Sequence, residues 1–159
     1  MASSEKNLSD VRLSAEVDIS NFKFGIVVAE WNEQITESLY SGAYQTLINS
    51  GATRDNIVRK NVPGTFELSL GGQWMAEDHE IDAVICLGCV IQGETRHFDF
   101  ICDAVANGIT QVNLKYNKPV IFGVLTTDNM KQALDRAGGK HGNKGDEAAA
   151  TAIKMLLLK

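Results

Sequence analysis

The sequence predicts an α/β fold: a three-layer α/β/α sandwich on a four-stranded parallel sheet of flavodoxin-like order. Three observations predict it. Short apolar runs, each of a length suited to a buried strand, recur along the chain. Between them lie segments with apolar residues at helical spacing, and this alternation implies right-handed β-α-β crossovers and a parallel sheet covered on both faces. The 159 residues suit one domain, with no internal repeat, linker or low-complexity tract to divide it. That domain is expected over residues 22–159. A loose polar arm precedes it over residues 1–21, where Val11, Leu13, Ala15 and Val17 alternate as in one edge strand.

Phe24–Ala29 reads as the first buried strand, and residues 34–50 as a helix with Ile35, Leu39, Ala43 and Leu47 on one face. Gly51 fits the C-cap of that helix. The second strand covers residues 56–62 and breaks at Pro63-Gly64, before a helix over residues 65–77. The third strand covers residues 83–90, followed by a helix over residues 98–116. The fourth begins directly after Pro119 and runs through residues 120–125. Thr127 or Asp128 can cap a short helix that ends near Ala137-Gly138-Gly139. The last helix is expected over residues 146–158.

Composition excludes several functions. Hydrophobic residues at 44% and charged residues at 22% are ordinary for a globular protein. The net charge of −5 provides no broad basic field for nucleic acid. No apolar stretch approaches the roughly 20 residues a bilayer requires, and the N-terminus has no cationic segment followed by an apolar run. A cytoplasmic location without membrane attachment is therefore expected. Cys86 and Cys89 form C-x-x-C, but within an apolar strand, where odd spacing points the side chains to opposite faces. With no second ligand pair, a metal site is not expected, and both read as core thiols.

In an open parallel sheet, ligands bind beyond the carboxyl ends of the strands. That rule selects Glu30-Trp31-Asn32, Pro63-Gly64-Thr65-Phe66-Glu67, the segment from Ile91 to His97, and Thr126-Thr127-Asp128. Gly93 permits a tight turn, and the helix start beyond it offers unpaired N–H groups to an anion. Thr95 suits either a helix cap or a ligand hydroxyl. His97 is placed to move a proton near neutral pH. Trp31 fits a stacking surface or a core aromatic, and Glu67 gains from the helix dipole with or without a ligand. Arg136, Lys140, His141 and Lys144 lie among four glycines just before a helix, a composition suited to phosphate, with Arg136 as the bidentate partner. His79, among Glu77, Asp78 and Glu80, reads as a solvated surface residue.

Taken in order, these segments resemble lumazine synthases from Phe22 to Leu157. The motifs that carry the likeness are V-P-G-T-F-E (62–67), C-V-I-Q-G-E-T-R-H-F-D (89–99), F-G-V-L-T-T-D (122–128) and R-A-G-G-K-H-G-N-K-G (136–145). The resemblance implies condensation of 5-amino-6-(D-ribitylamino)uracil with 3,4-dihydroxy-2-butanone 4-phosphate. The products are 6,7-dimethyl-8-ribityllumazine, phosphate and water, formed with no metal or organic cofactor.

Carried over by motif, the resemblance implies that Trp31 stacks on the pyrimidine ring, where the family usually has phenylalanine. Thr65, Phe66 and Glu67 would hold the ribityl chain, and Cys89, Val90 and Ile91 would offer backbone contacts to the same substrate. Glu94 and Thr95 would meet the butanone phosphate through main-chain N–H groups, with His97 transferring protons. Phe122 and Arg136 would come from the neighbouring subunit, and Lys144 would add a second cation. Gln92 departs from the arginine or lysine of many relatives. The resemblance further implies a homo-oligomer, at least a pentamer, and the compact loop over residues 138–145 suits a sixty-subunit icosahedral shell. Two rivals are a flavodoxin-like electron carrier, which would need a phosphate loop after the first strand, and a shell protein without catalysis.

Overall fold

Successive side chains of a strand point to opposite faces, and that sets the layers. In the computed structural model, which describes Asn7, Ser9, Asp10 and residues 18–158, strand β1 (Phe24–Ala29) is buried throughout. Its Phe24, Ile26 and Val28 face one helical layer, while Val27 and Ala29 face the other. Helix α1 (Glu33–Asn49) presents Ile35, Leu39, Ala43 and Leu47 to the first face. Strand β2 (Ile57–Val62) follows, then a single 3-10 turn (Thr65–Glu67) and helix α2 (Leu68–Glu77). Strand β3 (Ala83–Ile91) leads into helix α3 (His97–Tyr116), and strand β4 (Val120–Thr127) into helix α4 (Met130–Arg136). A small antiparallel pair, β5 (Ala137–Gly139) and β6 (Gly142–Asn143), precedes helix α5 (Lys144–Leu156).

The main sheet has the order β2-β1-β3-β4 with every pairing parallel. α1, α4 and α5 cover the face that carries Ile85, Leu87 and Cys89, while α2 and α3 cover the face that carries Val84 and Cys86. This is the expected three-layer flavodoxin-like sandwich. Cys86 and Cys89 do fall on opposite faces, in separate cores, as free thiols. Glycine sets the closest helix approach: a Cβ at Gly145 would sit 1.9 Å from the carbonyl oxygen of Leu39, so α5 crosses α1 with no side chain between.

Several boundaries differ from expectation. α1 begins and ends one residue earlier, and Gly51 closes it at φ 104°. α4 is capped by Asn129, whose side chain accepts from Gln132 N at 3.0 Å, because β4 runs on through Thr127 and leaves neither Thr127 nor Asp128 at the helix start. α5 begins at Lys144, since Asn143 Oδ1 accepts from Gly145 N at 2.8 Å and starts the helix early. Gly93 is not among the left-handed glycines, so no positive φ explains it. The edge strand expected around Val11 and Val17 lies outside the described residues.

Candidate active site

The register of the sheet builds the site. Pairing between β1 and β3 stops at Val28 and Leu87, whereas β3 and β4 stay paired out to Ile91 and Thr127. β3 therefore projects past β1 by residues 88–91 at the point where the strand order reverses, the place where ligands bind in such sheets. A cavity of about 730 Å³ opens there. Trp31, Thr65, Phe66, Glu67, Cys89, Val90, Ile91 and His97 line it, all of them expected from the sequence, together with Asn32, Pro63, Gly64 and Ile101.

Each wall has a local cause. Glu30 N donates to Val62 O at 2.9 Å and Trp31 N to Pro63 O at 3.2 Å, so the turns after β1 and β2 stay joined beyond the strands. Trp31 then projects its indole at 73% exposure, and Phe66 across the cavity is 55% exposed. Aromatic surface left uncovered on a concave wall is surface available to a ligand or a partner. Thr65 is buried, and its Oγ1 donates to the Cys89 carbonyl at 3.5 Å. His97 opens α3 at the rim, where its backbone N–H donates to Thr95 Oγ1 at 3.4 Å, so Thr95 does act on the helix start.

Asn32 lies in a segment the sequence selects, but its role there was not read from the sequence. It sits in the left-handed region at φ 62°, its carbonyl accepts from Ile35 N and Thr36 N to start α1, and its Nδ2 donates to Cys89 O at 2.9 Å. The side chain thus stands where β1 would have continued and takes up the strand's open carbonyl. A usable signal existed: asparagine is the non-glycine residue that best tolerates a left-handed turn before a helix. Ile101 was legible too, lying four residues after His97 on one helix face. With Asn32 and Thr65 both donating to it, the Cys89 carbonyl is fully engaged. Ile91, two residues on, directs its backbone to the same side.

Burial pushes the Cys89 thiol up to about 11 and the Cys86 thiol up to about 12. Both stay neutral near pH 7 and supply shape, not a nucleophile. Glu94 and Thr95 are exposed in the turn beside the cavity but do not line it. Phe122, Arg136 and Lys144 do not reach it either. Phe122 and Lys144 share a second cavity of about 330 Å³ beside β4 and α5. There Lys144 Nζ lies 3.1 Å from Glu147 Oε2, in ion contact but without the alignment of a hydrogen bond. Arg136 closes α4 with Nη1 donating to Gln132 O at 3.1 Å. The glycine-rich segment folds as the β5–β6 pair, with Gly138 in β5 and Gly142 at the start of β6 at φ 100° and 81°.

Fold and site together define a flavodoxin-like α/β protein with an aromatic-walled cavity at the strand-order reversal. The family model described as 6,7-dimethyl-8-ribityllumazine synthase matches residues 21–159. Proteins named 6,7-dimethyl-8-ribityllumazine synthase are similar over nearly the full length. One from Cytophaga hutchinsonii is 70% identical over 157 residues, covering 98% of each chain. Those from Parabacteroides distasonis and Porphyromonas gingivalis are 56% and 55% identical, covering 98% of this chain and 98% and 96% of their own lengths. The chain belongs to the 6,7-dimethyl-8-ribityllumazine synthase family.

Proposed function

We propose that the cavity at the end of β3 is where 5-amino-6-(D-ribitylamino)uracil and 3,4-dihydroxy-2-butanone 4-phosphate condense to 6,7-dimethyl-8-ribityllumazine, phosphate and water. The reaction is that of the family to which the chain belongs. The observation that carries the site is the overhang of β3 past β1, walled by Trp31 and Phe66 and capped by His97. Trp31 stacks on the pyrimidine ring, the backbone of Ile91 meets its amide edge while that of Val90 stays in the ladder with β4, and Thr65, Phe66 and Glu67 hold the ribityl chain.

The substrate amine is already a nucleophile, so the chain's task is to orient two molecules and move protons. Good orientation alone is worth about 7–11 kcal/mol in intramolecular models. The amine attacks the ketone, and loss of water forms an imine. A proton then leaves the adjacent carbon as the C–O bond to phosphate breaks, the resulting enol tautomerises to a ketone, and the second amine attacks that ketone and closes the ring with loss of a second water. His97, at the rim between ring slot and anion turn, takes and returns the protons. Glu94 and Thr95 offer main-chain N–H groups to the phosphate.

The cations for that phosphate come from a neighbour. Phe122, Arg136 and Lys144 stand away from the cavity of their own chain, the separation a site shared between subunits requires. Phe122 and Arg136 of the partner subunit close the ring slot and pair with phosphate, and the partner's Lys144 adds charge. The assembly is at least a pentamer, extended to a sixty-subunit shell in keeping with the short β5–β6 turn. A cytoplasmic location is part of the proposal, and the free thiols are in keeping with it.

The test mixes protein with both substrates, without added metal or flavin, and follows lumazine absorbance. Acceleration over the uncatalysed background is expected, with His97→Ala lowering kcat on the order of 10²-fold and Arg136→Ala mainly raising KM for the butanone phosphate. Unchanged kinetics in both variants overturn the roles. No acceleration by the unaltered chain makes the scaffold reading the leading one. A light-scattering mass of a lone pentamer refutes the shell.

A further inference from the structure

We infer that Gln92 is a positioning residue that sets the anion-binding turn and, through it, the start of the helix bearing His97. The inference rests on the proposed phosphate contact of the Glu94 N–H and adds that of Arg96. Gln92 is the first residue past β3, and its backbone N–H donates to Thr127 O at 2.8 Å, so its main chain is still held by the sheet. From that fixed point its carboxamide reaches forward. Nε2 donates to Gly93 O at 2.8 Å and to Thr95 O at 3.4 Å.

Two carbonyls drawn to one amide have a geometric consequence. In a trans peptide the C=O and the following N–H point in opposite directions. Holding the carbonyls of Gly93 and Thr95 toward Gln92 therefore turns the N–H groups of Glu94 and Arg96 away from it. Neither donates to an acceptor among the described residues. Unpaired N–H groups at a turn that leads into a helix suit an anion. The same conformation places Thr95 Oγ1 to accept from His97 N, which ties the turn to the residue that opens α3 at the cavity rim.

Packing does not hold this turn. Residues 92–97 are all exposed, and a Cβ at Gly93 would meet nothing within 4 Å. With so little burial to fix it, the Gln92 amide and the Thr95 hydroxyl are its ties. The space beside Gly93 is open to a ligand or a partner.

Gln92→Met keeps length and lacks both donor and charge, and Gln92→Lys keeps a donor. Steady-state kinetics with both substrates, and competition by inorganic phosphate, separate positioning from a general structural effect. Expected for Gln92→Met are roughly fivefold increases in KM for the butanone phosphate and in Ki for inorganic phosphate. KM for the ribitylaminouracil and Tm should hold, and Gln92→Lys should restore both constants. Unchanged phosphate constants in Gln92→Met, with the unaltered chain catalysing normally, overturn the inference and leave the proposed site standing. Equal rises for both substrates with a lower Tm also overturn it. An unaltered chain that neither turns over nor is inhibited by phosphate sinks the site reading, and the inference with it.

Discussion

Replacing Asn32 separates two contributions that meet in one side chain. Its Nδ2 hydrogen bond to Cys89 O, at 2.9 Å, is worth about 1 kcal/mol net. Its backbone at φ 62° costs an ordinary L-residue about 1–2 kcal/mol, which asparagine partly escapes and glycine escapes altogether. Asn32→Gly should therefore lose only the bond, about 1 kcal/mol, and Asn32→Ala about 2–3 kcal/mol. At roughly 2–4 °C per kcal/mol for a chain of this size, the Tm drops are about 2–4 °C and about 5–10 °C. Both variants also free the carbonyl that Asn32 holds at the cavity and loosen the turn bearing Trp31. KM for the ribitylaminouracil should rise in both, more than KM for the butanone phosphate. Thermal unfolding at fixed protein concentration, paired with initial rates, reads both effects. Equal Tm values for the glycine and alanine variants refute the left-handed argument. A glycine variant matching the unaltered chain in Tm and KM refutes the role of the hydrogen bond.

Gly145→Ala should be among the most damaging small substitutions, since its Cβ would fall 1.9 Å from the Leu39 carbonyl oxygen and backbone cannot swing aside. A loss of about 3 kcal/mol or more is expected, read as a Tm drop of at least about 6 °C or as insoluble protein. The thiols give a second check: at pH 8 a thiol reagent should label partly exposed Cys102 first, and Cys86 and Cys89 only in urea. Both buried thiols ionise later in the folded chain than in the unfolded one, at about 12 and about 11. Stability should therefore be full below about pH 9 and fall as pH rises toward 11–12, because only the unfolded chain releases those protons. Replacing both cysteines by alanine should flatten that decline in urea midpoints measured between pH 8 and 10.5.

The layers were legible because β1 and β3 declare two buried faces and each helix one. Phe24, Ile26 and Val28 against Val27 and Ala29 show that pattern in six residues. The cavity-lining residues were legible for a different reason: strand ends can be placed from strand runs, and the end of a parallel strand is where a ligand fits. Element ends were less so. The start of α5 depends on Asn143 bonding Gly145 N, and that of α4 on β4 continuing through Thr127, two choices made by neighbours in space. Asn32 escaped for the same reason. Its worth comes from a carbonyl 57 residues away that has no strand partner, a shortage that exists only once β1 and β3 are in register.

On the proposed reading, that same mismatch in strand length is what lets the chain hold a reaction site built from backbone, aromatic faces and a histidine. A sheet whose central strands ended together would close its backbone groups in the ladder and leave the carboxyl edge to side chains alone. Here β3 outlasts β1, so backbone, aromatic faces and His97 converge on one cavity before any substrate arrives. β4 supports the overhang from the other side, through pairs out to Ile91 and Thr127, which keeps it rigid. What this wall lacks is fixed positive charge: among the described residues no lysine or arginine lines it, and Arg96, in the adjoining turn, is 86% exposed with its Nε 3.7 Å from Asp99 Oδ2. A phosphate held by unpaired N–H groups alone would be held weakly. On the proposed reading, the missing charge sits on Arg136 and Lys144 at the far side of each chain, so completing the site and assembling the oligomer are the same event.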